Sequence, residues 1–148
     1  QRDGYPLVPA AVALLSRAAA EGRANGIVSG ALRSEIELAL RQAGVRNAVK
    51  VIVAAEDVRH GKPSPEGYLR GIELLNSLPP LPDRLLHPHE VIAIEDSPAG
   101  LRAAREAGLT TLAVAGSVAP EELAAADLVV SALGPELLPR LDELVGSP

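Results

Sequence analysis

Val91-Ile92-Ala93-Ile94-Glu95-Asp96-Ser97-Pro98-Ala99-Gly100 is a run of four apolar residues that ends in two adjacent carboxylates and then in the opening of a helix. Four apolar residues in succession read as a strand covered on both faces, the habit of a parallel sheet. Pro98 suits the first turn of a helix that extends to about Gly108. In open α/β sheets the corner between a strand's carboxyl end and the next helix is where ligands bind. Two neighbouring carboxylates, Glu95 and Asp96, repel unless a cation lies between them, and hard oxygen donors at such a corner suit Mg²⁺ with substrate phosphate oxygens. The alternative is that one of the two acids only caps the helix.

Two other stretches repeat this grammar. Ile27-Val28-Ser29-Gly30 closes a short apolar strand with a hydroxyl and a glycine ahead of a helix of alternating Leu, Ile and Ala. The Ser29 hydroxyl, Gly30 and the free N–H groups of that helix start would form an anion cradle, although Ser29 also reads as an ordinary N-cap. His60-Gly61-Lys62-Pro63-Ser64-Pro65-Glu66 follows a third strand and opens another helix. Lys62 is one of two lysines, with Lys50, in a chain that otherwise fills basic positions with arginine. A compact ammonium makes a point-charge contact with phosphate or carboxylate that a forked guanidinium makes differently. Arg33, one turn beyond Ser29, is a further candidate for a substrate phosphate, with a solvent-facing helix arginine as the alternative.

One parallel sheet would bring Ser29, Lys62, Glu95 and Asp96 to a common rim, and together they read as phosphate-transfer machinery. In these motifs the chain resembles the haloacid dehalogenase superfamily of phosphohydrolases, in the branch of β-phosphoglucomutase, phosphoglycolate phosphatase and the sugar-phosphate and glycerol-phosphate phosphatases. The resemblance runs from about Tyr5 to about Leu144 and rests on Gly-Lys-Pro-Ser-Pro followed by Ile-Glu-Asp-Ser-Pro-Ala-Gly. It implies a doubly wound, Rossmann-like α/β core and an aspartate that attacks phosphorus, giving an aspartyl-phosphate that water hydrolyses. It further implies that Ser29 hydrogen-bonds the transferring phosphoryl group, that Lys62 balances charge, and that Asp96 with Glu95 holds Mg²⁺ directly or through water. The family's nucleophile lies in an Asp-x-Asp-Gly-Thr motif on the first strand, and that motif does not occur here; Asp3-Gly4 lacks both the apolar strand and the second aspartate. The resemblance therefore implies the carboxyl-terminal portion of a longer enzyme, with the cap and first strand absent from these 148 residues.

Composition fits one α/β core domain over residues 1–148, with 47% hydrophobic residues and an aliphatic interior, since Tyr5 and Tyr68 are the only aromatic residues. A net charge of −5 with scattered basic residues gives no stripe for a nucleic-acid backbone. No apolar run approaches a membrane span, and the absence of cysteine removes disulfides and thiolate metal sites. The default expectation is a cytoplasmic location and a small phosphorylated metabolite as partner.

Apolar patterning and turn residues place strands at about 26–28, 49–54, 91–94, 111–115 and 128–130, and helices at about 9–21, 31–43, 65–78, 98–107, 120–126 and 135–145. This alternation predicts right-handed crossovers and a parallel sheet. Residues 76–90 read as a Pro/Leu-rich surface loop carrying His87 and His89, two exposed histidines rather than a metal pair. His60 is open between a turn residue and a substrate contact. Asn25 and Ser97 are candidates for local support of metal or backbone, and Asp127 for a cap. Three functions follow: a phosphatase of small phosphorylated metabolites, a phosphomutase of the β-phosphoglucomutase kind, and a non-catalytic phosphate-binding or assembly module. Removing the central first strand would open the edges beside Ser29 and Glu95, so a separate front-end segment, closure of the two strands or self-association through open edges is expected.

Overall fold

A computed structural model describes residues 9–116 and 118–145. Helices α1 (Pro9–Ala20), α2 (Arg33–Gln42), α3 (Glu66–Ser77), α4 (Pro98–Glu106) and α5 (Leu138–Val145) alternate with strands β1 (Gly26–Val28), β2 (Val51–Val53), β3 (Ile92–Glu95), β4 (Thr110–Val114) and β5 (Leu128–Val130). All strand pairs are parallel, with Ile27 opposite Ile52, Ile94 opposite Leu112 and Ala113 opposite Val129.

Strand alternation sends successive side chains to opposite faces, and helices cover both. On one face Val51, Val53 and Ala93 pack with Tyr68, Ile72 and Leu75 of α3, with Ala103 and Ala104 of α4 and with Ala107 just after it. On the other, Ile52 meets Ile36 and Leu40 of α2, while Leu112 meets Leu14 and Ala18 of α1 and Leu138 and Leu141 of α5. The expected doubly wound α/β architecture is therefore present.

The expected single sheet is not. The strands form a two-stranded sheet, β1-β2, and a three-stranded sheet, β3-β4-β5, and among the described residues β1 and β3 do not pair. One core nevertheless spans both sheets, because α3 and α4 pack against each other and against strands of each. Closure of β1 onto β3 is thus not the arrangement adopted.

Local chemistry explains both ends of α4. Ser97 accepts from the Gly100 N–H (3.1 Å) and caps α4, with Pro98 at its first position. Gly108 follows α4 with φ +87°, the left-handed turn that glycine takes without strain. Two expected helices shrink: Pro120–Leu123 is a 3₁₀ turn, and Pro135–Leu137 is another that leads into α5. The Pro that starts each segment fixes φ for either helix type, so the sequence signal does not separate them. Helix α2 begins at Arg33, two residues later than expected, because Leu32 is extended (φ −70°, ψ 149°).

Candidate active site

The carboxyl ends of β1 and β3 are joined by a side chain. On either side of β1, Asn25 O accepts from Val51 N–H (3.2 Å) and Ser29 N–H donates to Val53 O (2.9 Å), so these groups face β2. The intervening Val28 carbonyl then faces the other edge, and Lys62 Nζ donates to it at 3.1 Å. The same ammonium donates to Glu95 Oε2 at 2.7 Å, at the last residue of β3. Lys62 is carried there by the turn before α3. That turn is held by Glu66, whose carboxylate accepts from the Arg59 (2.8 Å) and His60 (3.1 Å) N–H groups. These N–H groups, Arg59 first, keep the Glu66 carboxyl below the usual carboxylate range.

Glu95 and Asp96, adjacent in sequence, part company in space. Glu95 shares the parity of Ala93 and points into the α3/α4 face, where it is only 6% exposed; Asp96 is exposed. Besides Lys62, Glu95 Oε2 accepts a hydrogen bond from the Tyr68 hydroxyl. Burial, then the negative charge of Glu95, pushes the Tyr68 phenol well above its ordinary pKa, so it acts as a hydrogen-bond donor. The Lys62 ammonium also lies 5.3 Å from the Tyr68 ring centroid, within cation–π range. Glu95 Oε1 is lodged where α4 starts: a Cβ on Gly100 would stand 1.9 Å from it. The two carboxylates expected to flank one cation therefore point apart. Glu95 neutralises Lys62 inside the protein, and Asp96 is the outward-facing oxygen donor.

Ser29 is half-buried at the end of β1, and its hydroxyl oxygen accepts from Ala31 N–H (3.0 Å). It is not the cap of α2, and the expected cradle of free helix N–H groups is largely filled by the chain itself. Leu32 N–H donates to Glu35 (2.9 Å) and Arg33 N–H to Glu56 (2.9 Å). Gly30 beside it is exposed, with open space around its Cα. The Ser29 hydroxyl proton and the Gly30 backbone are the polar groups this corner leaves open.

The expected reach of Arg33 toward that phosphate is also corrected. Its guanidinium donates to Ile52 O (3.0 Å) and Asp57 Oδ2 (2.6 Å). Since Val51 and Val53 bond to β1, the Ile52 carbonyl faces the opposite, outer edge of β2. Arg33 therefore screens that edge, away from Lys62. The Ala54 N–H, with Arg33 beside it, holds the Asp57 carboxyl below its usual range.

The remaining candidates have local roles. His60 is exposed and sits 3.4 Å from Glu66; His87 and His89 are exposed and stack with ring centroids 5.9 Å apart. Asn25 ties Arg23 O and Ala48 O (3.2 Å each), and Asp127 binds the N–H and hydroxyl of Thr111 (2.8 and 3.1 Å). Asp3 and Gly4 lie outside the described residues. Among the described residues no cluster of three or more His, Asp or Glu side chains is arranged to hold a metal ion, and no helix is long and apolar enough to cross a membrane. Sequence reasoning passed over Tyr68 and Gly100. The signal for Tyr68 was present, since it lies six residues after Lys62 on the inward face of the helix that Lys62 introduces.

A family model of haloacid dehalogenase-like hydrolases matches residues 1–108. The chain belongs to the haloacid dehalogenase-like hydrolases. It is 34% identical over 108 residues to validoxylamine A 7′-phosphate phosphatase of Streptomyces hygroscopicus subsp. limoneus, covering 73% of this chain and 46% of that protein. It is 33% identical over 133 residues to hexitol phosphatase A of Escherichia coli, covering 90% and 57%. The chain thus spans about half the length of these relatives. Among solved structures, CbbY of Rhodobacter sphaeroides in complex with phosphate superposes with a TM-score of 0.76 at 30% identity, over 90% of this chain and 58% of that one. The β-phosphoglucomutase of Clostridium difficile gives 0.74 at 26%, over 94% and 56%. The α/β Rossmann-like core of the family and its phosphatase and β-phosphoglucomutase-like branch are the setting of the site.

Proposed function

We propose that this chain is part of a Mg²⁺-dependent phosphatase acting on a small phosphorylated metabolite, a sugar or polyol phosphate, in the cytoplasm. The observation that carries the reading is the Lys62 ammonium, fixed between the carbonyl that ends β1 and the carboxylate that ends β3. Phosphoryl transfer depends chiefly on placement and charge compensation, and Lys62 is placed to supply both. Ser29, with Gly30, would hydrogen-bond the transferring phosphoryl oxygens. Asp96, exposed at the strand end, fits a hard cation such as Mg²⁺, with the inward-turned Glu95 contributing through water; the ion would supply further neutralisation of phosphate charge. The attacking aspartate lies in a segment outside these 148 residues, so the chain by itself does not turn over. That segment would bring an extended strand to the edges of β1 and β3, which are unpaired with each other. Leaving such backbone groups buried without partners costs roughly 1–3 kcal/mol each, against ~5–15 kcal/mol of total stability for a domain.

The test is hydrolysis of hexitol, sugar and glycerol phosphates by the chain alone, and mixed with a polypeptide carrying an apolar strand that ends in Asp-x-Asp-Gly. Turnover only in the mixture, lost in Lys62→Ala, is expected, with a rise in melting temperature on mixing. Lys62-dependent hydrolysis by the chain alone would place the nucleophile within it and overturn the division. A mixture that forms a complex yet only binds phosphate would favour the assembly module, and conversion of a sugar 1-phosphate to its 6-phosphate would favour the mutase.

A further inference from the structure

The Tyr68 hydroxyl is spent on the same Glu95 oxygen that holds Lys62, inside a core that is otherwise aliphatic. A phenylalanine would fill the same space between α3, α4 and the strands. The hydroxyl adds a polar group to a buried position, and burial of such a group is tolerated only with a partner. Its partner is a carboxylate that is itself 6% exposed. Three contacts fix that carboxylate: Lys62 and Tyr68 at Oε2, and the close approach of Gly100 at Oε1. With its orientation set, the far end of the flexible lysine stem has one seat, between Glu95 and Val28 O, above the Tyr68 ring.

We propose that Tyr68 is a positioning residue for phosphate recognition, its hydroxyl orienting Glu95 and its ring supporting Lys62 so that the ammonium is held at the rim. The inference rests on the phosphoryl-transfer reading given above. It differs from a packing role in one respect: the hydroxyl, which contributes little to filling the core, sets where the lysine charge lies. Glu95 and Lys62 would otherwise find each other through several rotamers, because a lysine stem has four rotatable bonds and an ammonium no preferred plane.

The test uses the 148-residue chain and inorganic phosphate in the presence of MgCl₂, with Tyr68→Phe, Tyr68→Leu and Lys62→Ala as variants. Phosphate affinity is measured by calorimetry, and the Lys62 ammonium is followed by ¹⁵N–¹H NMR, where the two lysines are distinguished by Lys50→Arg. Tyr68→Phe should melt within a few degrees of the parent, speed the hydrogen exchange of the Lys62 ammonium and weaken phosphate binding about three- to tenfold, the scale of one hydrogen bond. Tyr68→Leu should weaken it further. If Lys62→Ala binds phosphate as the parent does, the phosphoryl-transfer reading itself fails, whatever Tyr68 does. If Lys62→Ala loses binding while Tyr68→Phe keeps both affinity and the ammonium signal, only the positioning role is overturned. A parent spectrum without a protected Tyr68 hydroxyl proton would also overturn it, and that measurement needs no variant.

Discussion

Gly100→Ala should destabilise this protein although it replaces glycine by the best helix former inside a helix. On helix propensity alone the change should gain up to about 1 kcal/mol. The backbone offers no objection, because Gly100 lies in ordinary helical conformation and its N–H keeps its bond to Ser97. The objection is Glu95: a Cβ at this position would stand 1.9 Å from Oε1 and 2.3 Å from the carboxyl carbon. The carboxylate must move, and moving it breaks hydrogen bonds from both Lys62 and Tyr68 to Oε2. Hydrogen bonds to a charged group are worth about 1.5–3 kcal/mol each, and the low end applies because the Lys62 side chain is 27% exposed. Setting two such losses against the propensity gain leaves a net cost of about 2 kcal/mol, or roughly 4–8 °C in melting temperature for a domain of this size. Urea unfolding followed by far-UV circular dichroism, on the parent, Gly100→Ala, Glu95→Ala and the double variant, isolates the cause. In the Glu95→Ala background the added methyl should be neutral or stabilising, so the cycle should show a coupling of about 2–3 kcal/mol. A Gly100→Ala protein as stable as the parent, or the same penalty in both backgrounds, would refute the placement of Glu95 beneath α4.

Arg33→Ala should leave phosphate affinity unchanged in calorimetry, since the side chain screens the outer edge of β2, and weaker binding would return it to the site. Leu40→Ala, at a position with 0% exposure, should cost about 2–5 kcal/mol in urea unfolding; a loss under 1 kcal/mol would mean that α2 is not packed as described. Asp57→Asn tests acid stability. A carboxyl held below its usual range stabilises the fold above the unfolded-chain pKa of about 3.9, and this contribution is lost as pH falls through the folded value. The stability difference between parent and Asp57→Asn should therefore shrink as the pH is lowered from neutral to about 2, and a constant difference would contradict it.

Much of the fold and the identity of the motif residues were legible in the sequence. The apolar runs that end at Val28 and Glu95, the Pro98 helix start and the glycine after α4 are local signals, since periodicity, caps and turns act over a few residues. For the same reason the order of elements and the residues at the strand ends, Ser29, Lys62, Glu95 and Asp96, could be read without coordinates. What sequence spacing does not encode is direction. Glu95 and Asp96 are adjacent, and only the packing of β3 against α3 and α4 determines that one turns inward to Lys62 and Tyr68 while the other faces solvent. Arg33 lies close to Ser29 along the chain, yet the edge it guards is set by which β2 carbonyls pair with β1. Gly100 reads as an ordinary helix residue until the Glu95 carboxylate is found against it. These assignments depend on groups tens of residues apart meeting in a packed interior. The tertiary structure therefore decided how the site is wired, and the sequence decided which residues were available to wire it.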